Sequence, residues 1–237
     1  MLLYFIRHGD PIYFPDSLTE LGKKQAEALA IRLKRFGFDK IFTSTSTRAI
    51  QTAKPTCEAL GMDYTALAWC DERYSAEEFM GYNSENERFF INNCDNYKKI
   101  LVSKEVESLG FEWYNHPAFS ELKCKSGTKR ISGEADRFME SLGYIHSREE
   151  RCYKVIRPNN DRIALFAHNG FGCVFLSHIL DIPYPMFATK FTMSHSAVTV
   201  IEFQGDEISI PKLLTFSNDA HIYKENLPTK WCNGIDL

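Results

Sequence analysis

Apolar residues run unbroken from Leu2 to Ile6 and stop at Arg7-His8-Gly9, the pattern of a strand buried on both faces of a parallel sheet. From Thr19 the period changes. Ala26, Leu29, Ala30, Leu33 and Phe36 fall at helical spacing, and Gly37 supplies a stop signal. A second strand is predicted over Lys40–Thr43. The run after it, STSTRAIQTAKPTCEALG, opens on Ser and Thr caps, spaces Ile50, Ala53, Cys57 and Leu60 along one helical face and closes on Gly61, with a kink predicted at Pro55.

The layout of the amino terminus returns later in the chain. Arg162–Ala167 (RIALFA) is apolar, ends in His168-Asn169-Gly170, and precedes Val174, Leu176, Ile179 and Leu180 at helical spacing. Ala197–Phe203 and Lys212–Phe216 read as further strands, after a turn punctuated by Pro183 and Pro185. Strands alternating with helices predict an α/β fold, a layered sandwich with a central, mostly parallel sheet flanked by helices. The stretch from about Ser75 to Arg157 differs, being rich in charge and aromatics and mostly helical in pattern, with polar interruptions at Asn92–Asn96 and Lys123–Arg130. The predicted organisation is a single domain over 1–237, with an α/β core from 1–74 and 158–237 and a mainly helical cap insertion over 75–157. No internal repeat or low-complexity tract is visible.

Composition narrows the function classes. A chain of 237 residues fits one large domain or a domain with a sizeable insertion, against a prior of about 150 residues per domain. With 44% hydrophobic and 25% charged residues, intrinsic disorder is excluded. A formal charge of −3 is too weak to draw a polyanion such as nucleic acid over the whole surface, so any bound anion must be met by a local cluster. The seven cysteines, Cys57, Cys70, Cys94, Cys124, Cys152, Cys173 and Cys232, are scattered and include no C-x-x-C pair, and they read as reduced thiols. The amino-terminal apolar run stops at Arg7 with no basic residue before it, too short for a signal peptide or a membrane span. The expectation is a cytoplasmic protein with no membrane partner.

In an open α/β sheet, ligands collect beyond the carboxyl ends of the parallel strands. Arg7-His8, Arg48 and His168 each follow a different strand-like run, so parallel strands would bring two arginines and two histidines to one place. Guanidinium forks pair bidentately with phosphate oxygens, and helix N-termini add to the field, so this cluster fits a phosphoryl group. A neutral imidazole can attack phosphorus in line, which divides hydrolysis into two easier steps, and a carboxyl group must protonate the leaving oxygen and then activate water. The carboxyl candidates after the third strand region are Asp71, Glu72, Glu77 and Glu78.

These residues carry a family resemblance. Arg7-His8-Gly9 resembles the RHG signature of the histidine phosphatase superfamily, also called the phosphoglycerate mutase-like family, and Leu18-Thr19-x-x-Gly22-x-x-Gln25-Ala26 resembles the helix that follows it. IFTSTSTRAIQTA (residues 41–53) is similar to the family's second phosphate-binding segment, and Trp69-x-x-Glu72-Arg73-Tyr74 to the segment of its proton donor. His168-Asn169-Gly170 is similar to its second histidine motif, with Asn169 where glycine is usual, and Asn218-Asp219-x-His221-Ile222 to a carboxyl-terminal pattern. The resemblance implies that His8 is the phosphorylated nucleophile and that Glu72 is the acid and base. It also implies that Arg7, Arg48 and His168 bind the phosphoryl group without a metal or other cofactor, and Asn169 beside them is a further candidate for that binding. The cap matches nothing in the family.

Other residues take plainer readings. His116, His146 and His178 are expected to be structural, and His195, just before the strand at Ala197, is a candidate for the pocket mouth. Lys123, Lys125, Lys129 and Arg130 read as a solvated face rather than a second anion site. Phe79, Tyr82, Phe89, Phe90, Trp113, Tyr114 and Phe119 are expected mostly in the cap's own core, with some walling the cavity. A metal on Asp10, His8 and His168 is disfavoured by the adjacent arginines. The function expected is phosphomonoester hydrolysis of a small phosphorylated metabolite or a phosphoprotein. The rival is a cofactor-dependent phosphoglycerate mutase. Such mutases carry a Ser/Asn-rich stretch with Gly-Trp after RHG, where this chain has DPIYFPDS, and a Tyr-Gly segment after the acid, where Ser75 follows Tyr74. A noncatalytic phosphoryl-binding module needs neither His8 nor Glu72 and ranks below both.

Overall fold

A computed structural model describes residues 1–231; Cys232 lies outside them. β1 (Leu2–Arg7) leads through the hairpin of β2 (Pro11–Tyr13) and β3 (Asp16–Leu18) into α1 (Glu20–Leu33), followed by β4 (Lys40–Ser44), α2 (Thr47–Leu60) and β5 (Thr65–Leu67). The middle of the chain holds α3 (Glu72–Phe79), a hairpin of β6 (Met80–Tyr82) and β7 (Arg88–Phe90), then α4 (Asp95–Leu101), α5 (Lys104–Leu109) and α6 (Cys124–Ser141). A second hairpin, β8 (Tyr144–Ser147) and β9 (Cys152–Val155), precedes β10 (Arg162–Ala167), α7 (Asn169–Ile179) and α8 (Tyr184–Ala188). The chain continues with β11 (Val198–Glu202), β12 (Ile208–Ser209), β13 (Lys212–Asn218) and α9 (Ala220–Lys224).

The central sheet has six strands in the order β13-β11-β1-β10-β4-β5. β1, β10, β4 and β5 are mutually parallel, β11 joins β1 antiparallel, and β13 joins β11 antiparallel. β1 is unbroken in apolar residues because both of its faces are covered. Leu3 and Phe5 pack with Phe171 and Phe175 of α7, whereas Tyr4 and Ile6 pack with Leu29 and Leu33 of α1 and Ala53 and Cys57 of α2. The layered α/β sandwich read from the sequence is the fold observed. The six described cysteines are free and buried. No helix among the described residues is long and apolar enough to cross a membrane.

Local differences from the sequence reading have physical causes. α1 ends at Leu33, so Phe36 leaves the predicted stripe and is 39% exposed, with its ring 5.9 Å from that of Tyr4. α2 runs as one helix through Pro55 and closes on Gly61 at φ +65°, the left-handed conformation that glycine adopts without steric cost. Lys123–Arg130, read as a polar interruption, lies almost entirely within α6. That helix buries Cys124, Gly127, Ile131, Ala135 and Phe138 along one face, and the charged residues occupy the other. The glycine in that stripe hides the period. It is needed because a Cβ at Gly127 would sit 2.7 Å from the Phe79 ring. Asn92–Asn96 is likewise no plain interruption, since Asp95 opens α4 and Asn92 is buried with its amide donating to Ala188 O. The two hairpins within 75–157 have strands of three or four residues, too short for alternation to register.

The histidines read as structural include a charged pair of contacts. His146 Nδ1 lies 3.0 Å from Asp136 Oδ1 and its Nε2 lies 3.2 Å from the Asp181 carboxylate, while His178 Nε2 bonds the same Asp136 oxygen at 2.6 Å. Burial alone would lower His146, but Asp136 and Asp181 raise it to about 9. Arg148 also reaches Asp136, and burial lowers His178. A histidine raised in the folded state contributes fully below its unfolded value of about 6.5, and that contribution fades as pH climbs through about 9. Asp181→Asn keeps a residue that tolerates the φ of +52° found there. It is expected to destabilise the fold by about 2 kcal/mol at pH 6 and by much less at pH 10. Thermal melts showing the same loss at both pH values would remove His146 as the charged group.

Candidate active site

The carboxyl ends of β1, β10 and β4 lie side by side in the sheet, so the residues after them meet. Arg7 and His8 follow from β1, His168 from β10, and Ser44, Ser46 and Arg48 from the end of β4 and the start of α2. The His8 and His168 rings lie 5.1 Å apart. Both side chains are buried, as are Arg7 and Arg48.

Several motif residues hold the loop that carries His8. The Gly9 amide donates to Thr52 Oγ1 at 3.0 Å and the Asp10 amide to Gln25 Oε1 at 2.8 Å. Thr19 caps α1 by accepting from the Gly22 amide and donates its hydroxyl to Asp10. The backbones at Gly9 and Gly22 touch; a Cβ on Gly9 would stand 2.7 Å from Gly22 O, and one on Gly22 would collide with Asp10 O. Glycine is thus required on both sides of this contact.

His8 Nδ1 lies 2.7 Å from Gly9 O, an arrangement in which Nδ1–H donates and Nε2 keeps the lone pair. Burial, then His168, Arg7 and Arg48, push the His8 pKa well below the usual histidine value. Burial, then Arg48, does the same for His168. Both rings are therefore neutral at neutral pH. His168 Nε2 is held by Ser44 Oγ at 2.8 Å and Ser46 Oγ at 3.1 Å. Ser46 makes no side-chain capping bond to α2, and Asp16 Oδ2 accepts from the Thr47 amide in its stead.

Of the four carboxyl candidates only Glu72 lines the cleft. Its Oε1 accepts from the Phe171 amide at 3.3 Å, and its Oε2 lies 3.6 Å from His168 Nδ1. Asp71 is buried and bound by Arg73 and Thr45; burial alone would raise it, but those bonds hold it at about 2. Glu78 is clamped by Arg130 through two bonds of 2.7 and 2.6 Å, and Glu77 is exposed. Gly170 is confined between site groups, since a Cβ there would collide with Glu72 Oε1 and the Phe90 ring.

Asn169 lines the cleft with its side-chain oxygen accepting from the Met193 amide at 3.1 Å. Arg7 donates to Met193 O. His195 is buried with its ring 5.9 Å from that of His8, and Nδ1 lies 3.1 Å from Asp10 Oδ1. Burial, then Arg7, lowers His195 to about 2. His221 is buried against Ser196 Oγ at 2.9 Å, and Asp219 accepts from Ser194, so the carboxyl-terminal pattern braces the loop after α8. Arg130 of the basic cluster is committed to Glu78 and to Trp69 O.

Composition and spacing missed Asp16, which bonds Arg48 Nη1 at 2.6 Å. They also missed Ser44 and Ser46, although both lie in the polar run from the end of β4 to the start of α2, where cap residues were expected. The cleft, about 740 Å³, is lined beyond the strand ends by Tyr13, Arg73, Met80, Phe89, Phe90 and Asn93.

Residues 3–88 match the family model of the histidine phosphatase superfamily, branch 1. No curated protein matches the chain. Among solved structures, a phosphoserine phosphatase mutant from Entamoeba histolytica in complex with phosphoserine aligns with a TM-score of 0.60 at 19% identity, over 93% of this chain and 98% of that one. A mycobacterial glucosyl-3-phosphoglycerate phosphatase aligns at 0.59 and 16% identity, over 91% and 98%. A putative alpha-ribazole-5'-P phosphatase from Escherichia coli aligns at 0.60 and 16% identity, over 92% and 98%. The chain shares the fold of these solved structures, and the match to the family model covers residues 3–88.

Proposed function

We propose that the chain is a phosphomonoester hydrolase acting on a small phosphorylated molecule through a phosphohistidine. The observation that carries this reading is a set of buried polar atoms without hydrogen-bond partners, Arg48 Nε, Glu72 Oε2 and His168 Nδ1, gathered about the fixed tautomer of His8. Buried polar groups without partners are rare and call for a ligand, and two donors beside one neutral nucleophile suit a phosphoryl dianion.

In the first step His8 Nε2 attacks phosphorus, the bond from phosphorus to the ester oxygen breaks, and that oxygen takes the proton of Glu72. In the second, Glu72 takes a proton from water as its oxygen attacks phosphorus; the N–P bond breaks and phosphate leaves. Arg7, Arg48 and His168 stabilise the charge on the equatorial oxygens, with the N-termini of α2 and α7 adding to the field. Asn169 positions the α7 end of the cleft and His195 backs the His8 ring. The segment 75–157 is proposed as the cap, whose β6–β7 hairpin walls the cleft.

The test is phosphate release from p-nitrophenyl phosphate, followed together with interconversion of 3- and 2-phosphoglycerate in the presence of 2,3-bisphosphoglycerate. Phosphate release unchanged by a chelator is expected, because the arginines already supply the positive field. Rapid isomerisation without phosphate release would make the protein a mutase, and activity lost to chelator and restored by a divalent ion would overturn the metal-independent mechanism.

A further inference from the structure

The phosphoryl group occupies only the floor of a cleft of about 740 Å³, so the leaving group must account for most of the rest. Its position is constrained by Glu72. If that carboxyl protonates the ester oxygen, the carbon body of the leaving group begins beside Phe90, because both Glu72 Oε1 and the Phe90 ring crowd the same point above Gly170. The cleft lining also includes Phe89, Met80 and Tyr13. Phe89 is 40% exposed and Tyr13 60% exposed, apolar ring surface facing the solvent-filled cleft.

Charged residues in the cleft lining already have partners within the chain. Arg48 bonds Asp16 at 2.6 Å and carries the Tyr13 ring 5.3 Å from its guanidinium carbon. The Arg73 guanidinium gives two hydrogen bonds to Asp71, of 3.1 and 2.9 Å. No lysine lines the cleft among the described residues, and Asp16 adds a carboxylate beside Tyr13. A second anionic group on the substrate, such as the carboxylate of a phosphoglycerate or the second phosphate of a bisphosphate, would have to compete with Asp71 for Arg73 and with Asp16 for Arg48.

On the phosphatase reading given above, we propose that the substrate is the phosphomonoester of an uncharged alcohol or phenol bearing an aromatic ring, with the ring held by Tyr13, Phe89 and Phe90. The phosphoryl group supplies the only anionic charge the site is built to hold.

The test compares esters of aliphatic alcohols, so that leaving-group chemistry is similar: 2-phenylethyl phosphate against glycerol 3-phosphate, phosphoserine and 3-phosphoglycerate. The aralkyl ester is expected to exceed 3-phosphoglycerate in kcat/KM by about 10²-fold, the scale of burying one ring. Phe89→Ala is expected to reduce the ratio of 2-phenylethyl to glycerol phosphate about tenfold, through KM. Equal kcat/KM across these esters, or preference for phosphoserine or 3-phosphoglycerate, overturns the inference while hydrolysis of p-nitrophenyl phosphate leaves the phosphatase reading standing. Absence of phosphate release from every ester, p-nitrophenyl phosphate included, overturns both.

Discussion

His8→Ala is expected to lower the turnover of p-nitrophenyl phosphate by about 10⁴- to 10⁶-fold, the range seen when a hydrolase loses its nucleophile. Arg7, Arg48 and His168 remain in the variant, so substrate binding should survive and the loss should fall on kcat. The substitution removes one hydrogen bond, to Gly9 O, from a loop that Thr52 and Gln25 still anchor, and the fold should melt near the wild-type temperature. In wild type, an unfavourable environment for the imidazolium keeps His8 neutral below pH 6.5. The acid limb of kcat/KM should therefore lie below the pH at which a free histidine titrates. Rapid quench with labelled substrate should give acid-labile, base-stable label in wild type and none in His8→Ala. Label that persists in the variant would place the nucleophile elsewhere.

How far the site could be read in advance follows from where each residue sits. Arg7, His8 and His168 stand at the ends of strands whose burial on both faces produces unmistakable apolar runs, and parallel pairing of β1 with β10 and β10 with β4 then forces them together. Arg48 was legible for the same reason, in the first turn of the helix after β4. Glu72 was not separable from Asp71, Glu77 and Glu78 by spacing. What separates it is that Arg73 and Thr45 occupy Asp71, and Arg130 occupies Glu78. Arg130 reaches back 52 residues for that contact.

The same limit hid the groups that tune the site. Asp16 engages Arg48 because a hairpin with strands of three residues folds over the start of α2, and nothing in the local pattern of DPIYFPDS marks that return. Ser44 and Ser46 follow cap statistics in sequence yet spend their hydroxyls on His168, which lies 124 and 122 residues away. Phe89 and Phe90 sit in a short hairpin whose apolar residues read equally well as core. Residues that act at strand ends are therefore visible in one dimension, and those that act through short returns of the chain are not.

Glu72→Gln should separate the two halves of the reaction. Glutamine keeps the shape of the side chain and can still accept from the Phe171 amide, so the geometry that Gly170 makes room for is preserved. It can neither give a proton to the ester oxygen nor take one from water. With p-nitrophenyl phosphate the leaving group needs little protonation, and phosphorylation of His8 should proceed near its normal rate. Hydrolysis of the phosphohistidine should slow by about 10²- to 10⁴-fold, the contribution of a positioned general base. The phosphoenzyme should accumulate, visible as a burst of nitrophenol equal to one per site followed by a slow steady state. With 2-phenylethyl phosphate, whose alkoxide is a poor leaving group, the burst should vanish, because the missing acid then limits the first step. A variant that turns over both esters at the wild-type rate would exclude Glu72 as the proton carrier, and since Asp71 and Glu78 are bound in ion pairs and Glu77 faces solvent, the proton would have to pass through water.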